Sequence, residues 1–256
     1  MTKIVAIIPV RMGSTRFPGK PLASILGHSM IEHVFRRAKM CNLLDEVYVA
    51  TCDEEIAQVV KEFGGKVLMT SATHIRASDR VAEAATHLNA EIIVMIQGDE
   101  PMILPEMIDL AIAPMLADTN IKCVNLAQKI SNQAEFNDRN TIKVVTNLRG
   151  DAIYFSRSPI PAINFDEHQP VFKQVCVIPF ISELLQKFSN LAPTPLEKAE
   201  SVDMLRLIEH GEKIRMVETT TKTHAVDTPE DLIFVESLMK NDSLISRYSK
   251  IEEGTL

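Results

Sequence analysis

The sequence predicts an α/β fold with a mixed, mainly parallel central sheet and an inserted antiparallel lobe. Short β-branched apolar runs alternate with amphipathic stretches through the first half, which is the pattern of parallel strands joined by crossover helices. Two of these runs, Ile4–Val10 and Ile92–Ile96, are apolar at every position, as strands buried on both faces must be. After about residue 120 the strand-like runs follow one another without intervening helix patterns.

In chain order, strands read at Ile4–Val10, Glu46–Thr51, Lys66–Met69 and Glu91–Gln97. Between them Met30, Val34, Arg37 and Cys41 recur at helical spacing, as do Ile56, Val59, Val60 and Phe63, and then Val81, Ala82, Ala85 and Leu88. Pro105 suits the first turn of a helix through about Ala117, where its missing N–H leaves no bond unmade. Lys122–Ile130, Thr141–Thr146, Asp151–Ser156 and Val171–Phe180 read as strands of the lobe, placed at about residues 120–180. Helices at about Ile181–Ser189 and Leu196–His210, the second stopped by Gly211, lead to a strand at Lys213–Val217 and a last helix from Thr228-Pro229, which return the chain to the main layer. Without a repeat or flexible linker, residues 1–256 are expected to form one domain with the lobe inside it.

Bulk composition removes several classes of function. With 27 Lys+Arg against 34 Asp+Glu the net charge is −7, which argues against a protein that covers long nucleic acid with a basic face. No apolar run approaches the roughly 18–20 residues of a membrane span, and Lys3–Pro9 is too short for a secretory signal, so a cytoplasmic protein is expected. Cys41, Cys52, Cys123 and Cys176 are scattered, with no C-x-x-C pair and no His at zinc-ligand spacing, which predicts reduced structural thiols.

The segment after the first strand, Arg11-Met12-Gly13-Ser14-Thr15-Arg16-Phe17-Pro18-Gly19-Lys20-Pro21-Leu22, holds three cations and no acid. Ligands of open α/β sheets bind beyond the carboxyl ends of the strands, and a loop leaving a central strand lies at that edge. Gly13 and Gly19 let backbone N–H groups approach phosphate oxygens, while Arg11, Arg16 and Lys20 neutralise them. Walker A does not fit: five residues separate the glycines and Pro21 stands where Ser or Thr would bind magnesium. Gln97-Gly98-Asp99-Glu100-Pro101 leaves the second buried strand, so Asp99 emerges at the same edge, and its alternative is a plain turn residue. Asp227, whose alternative is an N-cap acid, precedes the last helix; Glu100, Glu230 and Asp231 read as helix-start or surface charges.

The Arg11–Leu22 segment resembles the nucleotide-binding signature of the sugar nucleotidyltransferases, most closely the CMP-Kdo synthetases (3-deoxy-manno-octulosonate cytidylyltransferases). Further landmarks follow in the same order: His74 through Arg80-Val81-Ala82-Glu83, Gln97–Pro101, Lys143-Val144-Val145, Tyr154–Pro161, Pro195-Leu196-Glu197 and Val226–Leu232. The resemblance implies a Rossmann-like nucleotide-diphospho-sugar transferase fold and magnesium-dependent transfer of CMP from CTP to the anomeric hydroxyl of Kdo or a related 2-keto-3-deoxy sugar acid. Pyrophosphate would be released, and the product would serve bacterial surface lipopolysaccharide synthesis. It also implies that Asp99 and Asp227 hold Mg2+ and that Arg11, Gly13, Ser14, Arg16, Lys20, His74, Ser78, Arg80 and Gln97 contact the nucleotide. By the same resemblance the lobe makes a homodimer.

The sugar half departs from the family pattern. Gln174 stands for a sugar-contacting His, and Val202-Asp203-Met204-Leu205-Arg206 puts Met204 where Gln is usual, leaving Arg157, Gln174, Asp203 and Met204 as the acceptor-side candidates. Met cannot make an amide's hydrogen bonds, so the acceptor itself stays open between Kdo and another ulosonic acid. Arg157 suits a carboxylate through its two-pronged guanidinium. Ile75, Arg76 and Ala77 interrupt the His74–Arg80 motif, and Arg76 adds a fixed charge able to meet carboxylate or phosphate. Cys52 replaces a usual Asp, has no recognisable catalytic partner, and is followed by Asp53. Two other readings stand beside this one: transfer to a sugar 1-phosphate, and a nucleotide-binding relative without turnover.

Overall fold

A computed structural model of the chain describes residues 2–13, 16–163, 165 and 170–249. Strand β1 (Ile4–Pro9) is buried at every residue. A small hairpin of β2 (Ser24–Ile25) and β3 (His28–Ser29) leads to helix α1 (Met30–Lys39), capped by Ser29, whose hydroxyl accepts from Glu32 N. Then come β4 (Glu46–Thr51), α2 (Glu54–Glu62), β5 (Lys66–Met69), α3 (Ala77–Ala85) and β6 (Ile92–Ile96). Helix α4 (Pro105–Ala117) begins at its proline as expected, and β7 (Val124–Lys129), α5 (Gln133–Asn137), β8 (Lys143–Thr146), β9 (Ala152–Ser156) and β10 (Phe172–Val175) follow. The chain continues through β11 (Val177–Ile181), α6 (Ser182–Asn190), α7 (Pro195–Glu200), α8 (Met204–Glu209), β12 (Arg215–Thr219), α9 (Pro229–Met239) and α10 (Ile245–Ser249).

The central sheet has the order β11-β6-β1-β4-β5, parallel except for β11 against β6. From β1 the chain steps outward to β4 and β5, then returns by α3 to β6 on the other side of β1. That reversal of strand order is the place where ligands of open α/β sheets bind, beyond the carboxyl ends of β1 and β6. A second sheet has the order β12-β7-β10-β8-β9, antiparallel apart from β12 beside β7. One apolar cluster joins β1, α1 and α4 through Ile8, Val34 and Ile108; another joins β1, α3 and α8 through Val5, Val81 and Leu205.

Three expectations are corrected. The run Val171–Phe180 is two strands, because its pattern changes at Cys176: half-buried Phe172, Lys173 and Gln174 suit an antiparallel pairing with β7, whereas Val177–Phe180 is buried throughout and pairs with β6. Leu196–His210 is two helices, broken where Ser201 takes a left-handed φ of 55°. The strand predicted at Lys213–Val217 begins at Arg215 and joins β7 in the second sheet rather than the main layer, so that sheet draws on chain beyond residue 180.

The C-terminal helix α10 docks on α1 through a buried polar contact. His33, fully buried, places Nε2 2.7 Å from the Ile25 carbonyl and Nδ1 2.7 Å from the Tyr248 hydroxyl. Burial, with Arg37 and His28 adding like charge, lowers the His33 pKa to about 4. The folded state therefore favours the neutral ring, and its contribution is present above pH 6.5 and lost as pH falls toward 4, roughly 3 kcal/mol over that window. A melting series should accordingly lose more stability between pH 6.5 and 4 in the wild type than in a His33→Gln variant, and parallel pH profiles would refute the assignment.

Candidate active site

The loop after β1 is shaped by Gly19, whose φ of 73° turns the chain into a 3₁₀ turn at Lys20–Leu22. Leu22 N donates to the Gly19 carbonyl at 2.9 Å, and Pro21 is buried, so Lys20 is held from both sides. Its side chain is 14% exposed, and the ammonium donates to Asp99 Oδ2 at 2.7 Å and to the Val226 carbonyl at 2.9 Å, and reaches Asp227 Oδ1 at 3.5 Å. Arg16 donates to the same Asp227 oxygen at 2.9 Å and to Asn140 Oδ1 at 2.7 Å. Arg11 and Gly13 lie exposed at the same loop, and Met12 N donates to Asp53 Oδ2 at 2.8 Å, which ties the loop to β4. Ser14 falls outside the described residues.

Asp99 reaches this place because Gly98 has no side chain. A Cβ at Gly98 would lie 2.2 Å from Val10 Cγ1 and 3.3 Å from the Pro9 carbonyl, so only glycine lets the end of β6 pass against the end of β1. Gly98→Ala is expected to cost about 1–3 kcal/mol of stability through this overpacking. Val10→Ala added to it should restore part of the loss in denaturant unfolding, and a neutral Gly98→Ala would show that the contact is not tight.

Asp227 is brought in by a backbone tie, Val226 N donating to the Asp99 carbonyl at 2.9 Å. It is not the helix cap. Thr228 caps α9 in a reciprocal box with Asp231, and Asp231 also accepts from Asp227 N at 3.0 Å, which leaves the Asp227 carboxylate to Arg16 and Lys20. Burial opposes a charged Lys20, but Asp99 and then Asp227 outweigh it and raise the pKa above its ordinary value. Glu100 corrects the surface-charge reading: it is buried, and burial first, then Asp99, pushes its pKa up to about 8.

The remaining candidates gather differently. Ser78, fully buried, donates through its hydroxyl to the Asp203 carboxylate, so a nucleotide candidate and an acceptor candidate are bonded to each other. Arg76 adds Nη1 to Ser201 Oγ at 2.7 Å and lies 3.6 Å from Asp203, while Arg157 donates Nε to the Glu200 carbonyl at 2.7 Å. These groups surround the break between α7 and α8. His74 pairs with Glu83, and Arg80, 3% exposed, bonds Thr70 and reaches Cys52 Sγ at 3.5 Å. Gln97 caps the end of β6, its N–H donating to the Cys176 carbonyl at 3.2 Å. Gln174 donates to Asn125 Oδ1 at 2.6 Å inside the second sheet. Met204, 1% exposed, is packed in the core with Leu205 and Leu207, so its thioether fills space instead of facing a ligand.

Asn140 and Asp53 are site neighbours that sequence reasoning missed. Asp53 follows a strand ending at the same sheet edge and was open to the argument made for Asp99. Asn140 offered no signal, because its place depends on how the second sheet folds over the loop. Among the described residues no group of three or more His, Cys, Asp or Glu side chains is arranged to hold a metal, the cysteines are free, and no helix is long and apolar enough to cross a membrane.

A family model for cytidylyltransferases matches residues 5–214. The chain is 48% identical over 243 residues to a 3-deoxy-manno-octulosonate cytidylyltransferase of Geobacter metallireducens, covering 90% of this chain and 95% of that protein. It is 45% identical over 242 residues to the protein of that name from Solibacter usitatus, covering 93% and 95%. Among solved structures, CMP:2-keto-3-deoxy-manno-octonic acid synthetase complexed with CTP superposes with a TM-score of 0.88 at 40% identity, covering 94% of this chain and 100% of that one.

Proposed function

Since this chain belongs to the 3-deoxy-manno-octulosonate cytidylyltransferase family, we propose that it transfers the cytidylyl group of CTP to the anomeric hydroxyl of 3-deoxy-manno-octulosonate or a close 2-keto-3-deoxy acid. The observation that carries this reading is the meeting of Arg16 and Lys20 with Asp99 and Asp227 beyond the carboxyl ends of β1 and β6. Phosphoryl chemistry depends chiefly on alignment and charge stabilisation, and here two cations and two anions are held within one hydrogen-bonded group.

The donor set suits magnesium. Asp99 Oδ2, Asp227 Oδ1 and the Val226 carbonyl already surround one cation, the Lys20 ammonium, and they are hard oxygens of the kind magnesium takes. Asp99 and Asp227 would hold the ion, which when bound draws charge from the α-phosphate. Lys20 and Arg16 would then face the triphosphate and balance the charge that builds on the departing pyrophosphate. The acceptor hydroxyl forms the new bond to the α-phosphorus as the bond to the β-phosphate oxygen breaks, and the hydroxyl proton passes to solvent. Arg157 and Asp203, beside the α7–α8 break, supply the acceptor side, with Arg157 suited to the acid's carboxylate.

Homodimerisation and a cytoplasmic setting belong to the same reading; light scattering tests the first. The deciding experiment measures pyrophosphate release from CTP and Mg2+ with a panel of acceptors. Release that depends on a 2-keto-3-deoxy acid is expected. Dependence on a sugar 1-phosphate, or silence with every acceptor, would overturn the proposal.

A further inference from the structure

The second sheet holds a buried charge that the reaction above leaves unused. Lys143, the first residue of β8, has no exposed surface, and burial lowers its pKa. An ammonium has three donors, and here all three go to backbone carbonyls: Asp138 at 2.8 Å, Thr141 at 2.6 Å and Arg157 at 2.7 Å. Burying a cation among carbonyl dipoles is unfavourable compared with burying a methionine of similar length, so its value must lie in what the three bonds hold.

They hold two loops on either side of the site. Asp138 and Thr141 bracket the turn that presents Asn140, whose side chain accepts from Arg16 at 2.7 Å while Arg16 also engages Asp227. The third bond fixes the backbone of Arg157 just beyond β9. The Arg157 guanidinium spans the Arg139 carbonyl at 3.0 Å and the Glu200 carbonyl at 2.7 Å, and Arg157 N donates to Glu200 Oε2 at 2.8 Å. Both loops therefore radiate from one ammonium, one toward the phosphate-binding cations and the other toward the α7–α8 break.

We infer that Lys143 is a positioning residue that sets Asn140 against Arg16 and Arg157 against the α7–α8 break, thereby fixing the distance between the nucleotide and acceptor halves of the site. This rests on the cytidylyl-transfer reading, and its test is built to fail separately from it.

The test is a mutant cycle on the whole protein, Lys143 against the Asn140 and Arg157 pair. Lys143→Met should lower kcat/KM by about tenfold or more, with KM for the acid acceptor rising, yet lower it by less than about threefold when Asn140→Ala and Arg157→Ala are already present. An equal loss in both backgrounds, or no loss in the wild type, overturns the inference. Should the wild type be silent with CTP and every acid, the reaction reading fails, and hydrogen exchange decides on Lys143 without substrate. Faster exchange in Lys143→Met confined to residues 138–141 and 157–158 supports it, and unchanged exchange there overturns it. If Lys143→Met does not fold, Lys143→Gln, which keeps two donors, replaces it; failure of both to fold would make Lys143 a requirement of the fold and overturn the positioning role.

Discussion

Asp99→Asn is expected to lower kcat by roughly a thousandfold, about 4 kcal/mol of transition-state stabilisation, while leaving the fold intact. The amide has the volume of the carboxylate and keeps an oxygen to accept from Lys20, so neither the Gly98 passage nor the Val226 tie is disturbed. What disappears is one of two negative charges that balance Arg16 and Lys20. With only Asp227 left, the group carries a net positive charge that repels a divalent ion. Circular dichroism and a melting curve should match the wild type while turnover is lost, and an Asp99→Asn variant with near-normal kcat would remove Asp99 from the metal role.

Lys20→Met should be nearly as damaging but in a different way. Lys20 contacts the acids in the free protein and, in the proposed reaction, the phosphates throughout, so its loss should raise KM for CTP as well as lower kcat. A fall of about a hundredfold or more in kcat/KM is expected. The methionine chain fills the slot that leaves Lys20 only 14% exposed, so packing survives. Removing Lys20 also exposes the acid pair, and manganese binding measured without nucleotide should become stronger than in the wild type. A Lys20→Met protein with unchanged KM for CTP and unchanged metal binding would contradict this account.

The central layer was legible because burial on both faces writes an uninterrupted apolar run, as at Ile4–Pro9 and Ile92–Ile96. The loop of Arg11, Arg16 and Lys20 was legible for the opposite reason, since charge and glycine beside a buried strand have few structural uses. Where the reading failed, tertiary contacts overrode local pattern. Ser201 breaks a helix-like run because its left-handed turn is held by Arg76 on its hydroxyl and Arg157 at its carbonyl, partners far away in sequence. Met204 looked like a changed ligand contact because identity at a position does not reveal which way the side chain faces. Glu100 looked like a surface charge because nothing adjacent in sequence announces its burial. Lys143 and Asn140 make their contacts through backbone carbonyls and one loop side chain, which leave no trace in periodicity.

The tie between Val226 and Asp99 has a consequence in time. Lys20 and Asp227 lie 207 residues apart, so at a synthesis rate of about 5–20 residues per second roughly 10–40 s separate their appearance on the ribosome. The parallel layer and its basic loop are complete in the nascent chain well before the second acid arrives. Until then Lys20 has one anionic partner, and the arrangement proposed to accept a metal does not exist. The four-residue group of Arg16, Lys20, Asp99 and Asp227 is completed only when the segment before α9 lies against the end of β6, where Val226 N donates to the Asp99 carbonyl.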